Sequence, residues 1–230
     1  MMDRFRRKIP PTCLAGLALL AACAGGERPK SDADAAGAST PAPVILVVGT
    51  SITAGLGVDP SEAYPAILQQ KIDSAGFHYR VVNAGNSGET SAGVVRRMEW
   101  LLRQPIAVLI LETGGNDGLR GLDPDSLRDN IEASVRLARR QTPPPAVLLL
   151  GMEAPPNLGP GYTARFREAF RAASRELDVP LVPFVLQGVG GIDSLNQADG
   201  IHPTAAGHRI LAATVWTALL PLLEEGGHTR

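Results

Sequence analysis

Along the chain, five short apolar runs alternate with longer stretches in which apolar residues recur every three or four positions. The runs cover residues 44–48, 79–82, 106–111, 146–150 and 180–182. Short, mostly apolar and rich in Val, Ile and Leu, they read as strands buried on both faces. Residues 61–74, 91–103, 123–140 and 163–177 read as amphipathic helices. In the third, Leu127, Ile131, Val135 and Ala138 share one face, and Arg128, Glu132, Arg136 and Arg139 share another. Pro203 suits a first helical position, and a last helix is predicted from there through Leu223. Strand–helix alternation predicts the α/β class: a three-layer α/β/α sandwich around a central parallel sheet. No internal repeat and no second domain is visible, and 230 residues suit one domain with a substantial core.

The predicted topology already locates a site, because open α/β sheets bind ligands beyond the carboxyl ends of their strands. Three polar, glycine-rich turns follow the first three strands. They are Gly49-Thr50-Ser51, the stretch from Asn83 through Gly88 to Thr90, and the stretch from Glu112 through Gly114, Gly115 and Asn116 to Gly118. All three therefore belong to one rim.

The first residues read as an address. Arg4, Arg6, Arg7 and Lys8 precede a short apolar stretch, 14–20, which is well below the roughly 20 residues a membrane-spanning helix needs. It runs into Leu20-Ala21-Ala22-Cys23, which resembles the lipobox of bacterial lipoproteins, whose cysteine is acylated after cleavage before it. The alternative is an ordinary signal peptide cut at Ala22. The lipobox is preferred because the other cysteine, Cys13, lies in the segment to be removed. No disulfide can then form within the mature chain. The implied place is the cell envelope, and Ala24 after the cysteine favours the periplasmic face of the outer membrane in a Gram-negative cell. Residues 23–43, rich in Ala, Gly, Ser, Asp and Pro, lack apolar periodicity and read as a lipidated cysteine with a flexible tether. A coil of that length spans about 25 Å on average. The domain is expected over 44–225, followed by a tail at 226–230.

Composition removes several classes of partner. Net charge is −1 and becomes more acidic once the basic N-terminus is set aside, so no basic stripe favours nucleic acid. Aromatic residues make up 4% of the chain, too few for a stacking platform. No Gly-x-Gly-x-x-Gly follows the first strand and no Gly-Lys-Ser/Thr occurs, which leaves nucleotide-phosphate cradles unsupported. The four His and two Cys are too scattered for a metal centre. Neither cofactor nor metal is expected.

Ser51 stands where a strand gives way to a turn, so its hydroxyl could rise above the sheet edge. Read alone, it could equally be a turn serine or helix cap. His202 could supply the base such a hydroxyl needs, and Asp199, three residues earlier, could hold the imidazole. Read structurally, Asp199-Gly200-Ile201-His202-Pro203 is a turn into the last helix. Of the other histidines, His78 precedes a predicted inner strand, His208 falls in the last helix and His228 in the tail. Gly88 offers a backbone amide that a ligand can approach, and Asn116 lies among glycines that leave its side chain room to point outward.

These blocks together resemble the SGNH (GDSL-type) hydrolases: Gly49 to Gly55, Asn83 to Ser91, Gly114 to Gly121, and Asp199 to Pro203, in that order. The resemblance covers nearly everything from Val44 to Leu223 and is nearest to bacterial thioesterase/protease/lysophospholipase enzymes and arylesterases. It implies a flavodoxin-like fold, a triad of Ser51, Asp199 and His202, and an oxyanion hole of the Ser51 and Gly88 amides with the Asn116 side chain. It also implies a mobile substrate loop over 154–162, with Pro155, Asn157 and Tyr162. The activity implied is hydrolysis of small acyl esters or thioesters by a monomer. The alternatives are a carbohydrate acetylesterase, and a silent envelope lipoprotein that binds a ligand at the same rim. One departure stands out: Thr50 occupies the position where the family usually has Asp, so a charge-based role of that Asp in ordering the nucleophile loop would be lost.

Overall fold

A computed structural model describes residues 41–227. The leader, Cys23 and most of the tether therefore lie outside the described residues, as does the end of the tail.

Five parallel strands, β1 (Val44–Gly49), β2 (Arg80–Gly85), β3 (Val108–Glu112), β4 (Ala146–Leu150) and β5 (Leu181–Val182), form one sheet in the order β2-β1-β3-β4-β5. The order reverses between β1 and its two neighbours, so the switch point lies at the carboxyl end of β1. All six residues of β1 and all five of β3 are buried, as expected of central parallel strands. β2 departs from the sequence expectation. It is an edge strand whose residues are exposed or half-buried, so His78 precedes an edge strand and not an inner one.

Two helical layers cover the sheet. On one side α2 (Tyr64–Ser74) packs against α7 (Ala205–Gly226); on the other α5 (Pro124–Ala138) packs against both α3 (Ser91–Leu101) and α6 (Pro160–Leu177). Short helices α1 (Ser51–Ala54) and α4 (Gly115–Leu119) follow β1 and β3 directly. The α5 stripe of Leu127, Ile131, Val135 and Ala138 is buried, each larger side chain contributing about 1.5–3 kcal/mol. On its other face Arg136 pairs with Glu132, whereas Arg139 donates to the Leu177 carbonyl at the end of α6. α7 is long and apolar enough by composition to cross a membrane, yet Leu211, Val215, Leu219 and Leu223 are fully buried in the core.

The start of α7 corrects the sequence reading. The helix begins at Ala205, with Thr204 as cap accepting from the Gly207 N–H, and Pro203 lies before it. Pro203 instead pairs with Asn196 in an antiparallel bridge, where Gln197 N–H donates to the His202 carbonyl and Thr204 N–H to the Leu195 carbonyl. The threonine immediately downstream, Thr204, offered a better cap than a proline at the first position. The closed loop over 196–203 holds His202 over the end of β1.

Candidate active site

β1 ends in Gly49, where a Cβ would lie 1.9 Å from Thr53 Oγ1, so only glycine lets the chain turn this closely. Ser51 follows as the first residue of α1 and is buried except at the rim. Its Oγ lies 2.8 Å from His202 Nε2, and His202 Nδ1 lies 2.7 Å from Asp199 Oδ2. With Nδ1 donating to the carboxylate, the Nε2 lone pair faces the serine hydroxyl. Asp199 Oδ1 accepts the N–H groups of Ile201 and His202. The hydrogen bond from the imidazole, reinforced by these amides, holds the Asp199 carboxyl well below the usual carboxylate range. Gln197 ties the two halves of the site: its Nε2 donates to the Leu56 carbonyl after α1 and to the Pro203 carbonyl.

Gly88 has φ of +79°, a conformation side chains rarely adopt, and its N–H has no acceptor among the described residues. Asn116 sits on the first turn of α4, and its Nδ2 donates one hydrogen to the Glu89 carbonyl at 3.0 Å. That bond orients the amide and leaves its second hydrogen available. Ser51, Gly88, Asn116 and His202 line one cavity of about 450 Å³, walled mostly by apolar side chains such as Ile52, Leu119, Met152 and Leu186.

Several residues that fix this geometry were not singled out from the sequence. Glu89 accepts from Asn86 Nδ2 and from Arg97 Nε, and Arg97 also donates to the Gly49 carbonyl. Arg120 donates to the Gly88 carbonyl. Buried Asp117 accepts the N–H and Oγ of Ser91, capping α3 from outside, because the Thr90 side chain makes no capping bond. Glu112, at the end of β3, meets the turn that carries Ser51 from below. It accepts from Thr50 N, Thr50 Oγ1 and Thr53 Oγ1. An acidic group thus orders the loop after all, with Thr50 as its donor. The motif blocks flagged Glu89, Glu112 and Asp117 by neighbourhood; their partners, folded in from elsewhere, could not be seen.

The loop expected over 154–162 is shorter than predicted. Pro155 and Pro156 line the cavity, but a single helical turn spans Pro156–Leu158 and α6 starts at Pro160. Asn157 lies in that turn, outside the cavity lining, and Tyr162 belongs to α6, its hydroxyl donating to the Leu122 carbonyl. Of the competing histidines, His208 is fully buried; its Nδ1 accepts the Tyr64 N–H and its Nε2 has no partner. Burial, with the nearby His202, pushes its pKa down to about 4.

A hydroxyl, an imidazole and a carboxylate in series at the switch point of a parallel sheet place this chain in the class of α/β serine hydrolases. The particular family follows from comparison with known proteins. The sequence profile of the GDSL-like Lipase/Acylhydrolase family matches residues 47–210, and the chain belongs to that family. It is 45% identical over 183 residues to "Esterase TesA" of Pseudomonas aeruginosa, covering 79% of this chain and 90% of that protein. To "Thioesterase 1/protease 1/lysophospholipase L1" of Escherichia coli K12 it is 35% identical over 184 residues, 79% of this chain and 86% of the relative. A crystal structure titled as TesA superposes with a TM-score of 0.75 at 45% identity, covering 78% of this chain and 99% of that one.

Proposed function

We propose that this chain hydrolyses acyl esters and thioesters through an acyl-Ser51 intermediate, and that it does so on the cell envelope, anchored by a lipid on Cys23. The observation that carries the chemistry is the unbroken series from Ser51 Oγ through His202 to Asp199 at the mouth of the apolar cavity.

His202 Nε2 takes the hydroxyl proton as Ser51 Oγ attacks the acyl carbon. The imidazolium that forms faces the Asp199 carboxylate, which is ionised throughout the working range. The Ser51 and Gly88 amides and the Asn116 side chain receive the oxyanion, a contribution of about 3 kcal/mol per donor. Collapse breaks the bond to the leaving alcohol or thiol, to which His202 returns the proton. A water then enters, gives its proton to Nε2, and attacks the ester; a second oxyanion collapses to free acid and restored Ser51. The cavity accepts an aliphatic acyl chain, since its walls are mostly aliphatic, with Ile52, Leu119, Met152 and Leu186 beside a single phenyl ring, Phe184. Leu119 and Pro155 face the chain, and the segment that follows Pro155 adjusts to it. The names of the relatives, esterase and thioesterase, support both leaving groups.

The test is turnover of p-nitrophenyl acyl esters and acyl-CoA by protein beginning at Pro41. Hydrolysis that disappears in Ser51→Ala is expected, and unchanged turnover in that variant sinks the assignment. The anchor is tested separately by feeding cells an alkyne-tagged fatty acid. Label on the wild-type chain and none on Cys23→Ala is expected; an unlabelled wild type refutes the anchor and leaves the chemistry standing.

A further inference from the structure

Beneath the nucleophile lies a carboxylate that takes no part in the acyl-transfer steps. Glu112 is fully buried, and no Lys or Arg pairs with it among the described residues. A buried carboxyl without a cation is costly unless hydrogen bonds satisfy it. Here the donors come from the two residues that bracket Ser51. Oε2 accepts the Thr50 N–H at 2.7 Å and Thr53 Oγ1 at 2.9 Å, and Thr50 Oγ1 reaches both carboxylate oxygens at 3.0 Å. Behind Thr53 stands Tyr64 of α2, whose hydroxyl lies 2.8 Å from Thr53 Oγ1. With the Thr53 proton given to Glu112, Tyr64 donates to Thr53, and the chain of donors runs one way, toward the carboxylate.

The geometry is closed on the remaining side. A Cβ at Gly49 would sit 2.6 Å from Glu112 Oε2, so the strand end packs directly on the carboxyl. The Thr50 carbonyl accepts the Ala54 N–H at 2.9 Å, which makes α1 continuous with the residue that Glu112 grips. Among the described residues, the Ser51 side chain has no hydrogen-bond partner apart from His202. Its backbone direction is therefore set by its neighbours, and they are set by Glu112.

We propose that Glu112 is a positioning residue for the nucleophile: its side chain clamps Thr50 and Thr53 so that Ser51 Oγ meets His202 and the Ser51 N–H faces the oxyanion. This rests on Ser51 being the nucleophile. Shape, and not charge, is what the clamp needs. A glutamine there can accept from Thr50 N–H and Thr53 Oγ1 with its carbonyl, and donate to Thr50 Oγ1 with its amide.

The experiment measures the second-order rate of fluorophosphonate labelling of the full-length protein, with kcat, KM and melting temperature measured in parallel. Glu112→Ala is expected to lower labelling rate and kcat together by about 100-fold, the cost of displacing a reacting group by roughly an ångström, with KM within about two-fold. Glu112→Gln is expected to recover all but about three-fold of the rate, a loss the size of one hydrogen bond. A lowered melting temperature with wild-type labelling rate in the folded Ala variant would overturn the proposal, and so would a Gln variant as slow as Ala. Should the Ala variant not fold, Thr50→Val decides. Losing one hydroxyl bond while keeping the Thr50 N–H is expected to slow labelling about five-fold, and an unchanged rate refutes the clamp. A wild type that takes no label at Ser51 instead refutes the nucleophile itself.

Discussion

Two carboxylates converge on Ser51 from opposite surroundings, and the contrast separates holding a site from running it. Asp199 lies on a surface loop, its side chain nearly half exposed, and touches the imidazole directly. Hydrogen bonds from His202 and two amides favour its charge, so its carboxyl is held low. Glu112 is sealed beneath the same turn, where burial pushes its carboxyl above the ordinary value against the hydrogen bonds of Thr50 and Thr53. In the proposed mechanism Asp199 must stay charged, because an imidazolium forms beside it in every turnover. Glu112 faces only hydroxyls and an amide, and needs no charge to hold them.

The same isosteric change should therefore have very different effects at the two positions. Asp199→Asn is expected to lower kcat by roughly 10³–10⁴-fold, because an amide facing His202 Nδ1 selects the wrong tautomer. Its structure and melting temperature should barely change, since the loop stays closed through Gln197, Leu195 and Thr204. Rates within a few-fold of wild type for Asp199→Asn would erase the distinction from Glu112. Asn116→Ala comes next: losing one oxyanion donor is expected to cost 10²–10³-fold in kcat, roughly 3–4 kcal/mol. KM should move little, which steady-state kinetics on a p-nitrophenyl ester checks.

How much of this was legible in the sequence follows the same divide. Ser51, Gly88 and Asn116 sit in short motifs that follow β1, β2 and β3, and chain order alone brought those three to one rim; Asp199 and His202 sit in a fourth motif, in the loop before α7. The central strands were readable because burial on both faces writes itself as continuous Val, Ile and Leu. β2 was misread as inner for the same reason, since a short apolar run does not tell an edge from a centre. Glu112 was invisible in function because its donors lie 62 and 59 residues away, and a lone acid closing an apolar strand looks like an ordinary boundary. The start of α7 was set by a competition, Thr204 capping against Pro203 opening, that only the bridge to Asn196 resolves. Tyr162, expected in a loop, was drawn into α6 because the helix opens on Pro160.

A third titratable group sharpens the comparison on the stability side. His208 is buried and neutral, its Nδ1 already occupied by the Tyr64 N–H, so a proton there has no place to go. With a folded-state pKa of about 4 against an ordinary value near 6.5, the unfolded chain binds the extra proton first. Its stabilising contribution is complete above about pH 6.5 and is lost as pH falls toward 4, amounting to about 3 kcal/mol. Urea unfolding at pH 7 and pH 4.5 should show this loss in wild type and a smaller one in His208→Gln. The smallest expected effect is at the surface. Arg120→Ala removes the bond to the Gly88 carbonyl and should slow kcat only a few-fold, as one exposed hydrogen bond would.

The central claim is that Ser51 is activated by His202, and covalent trapping tests it most directly. Protein treated with a fluorophosphonate is digested and mapped by mass spectrometry, alongside His202→Ala. The expected result is one adduct per chain on the peptide carrying Ser51, formed at least 10³-fold more slowly in His202→Ala. An adduct on another residue, or an unmodified chain that still hydrolyses esters, would contradict the account.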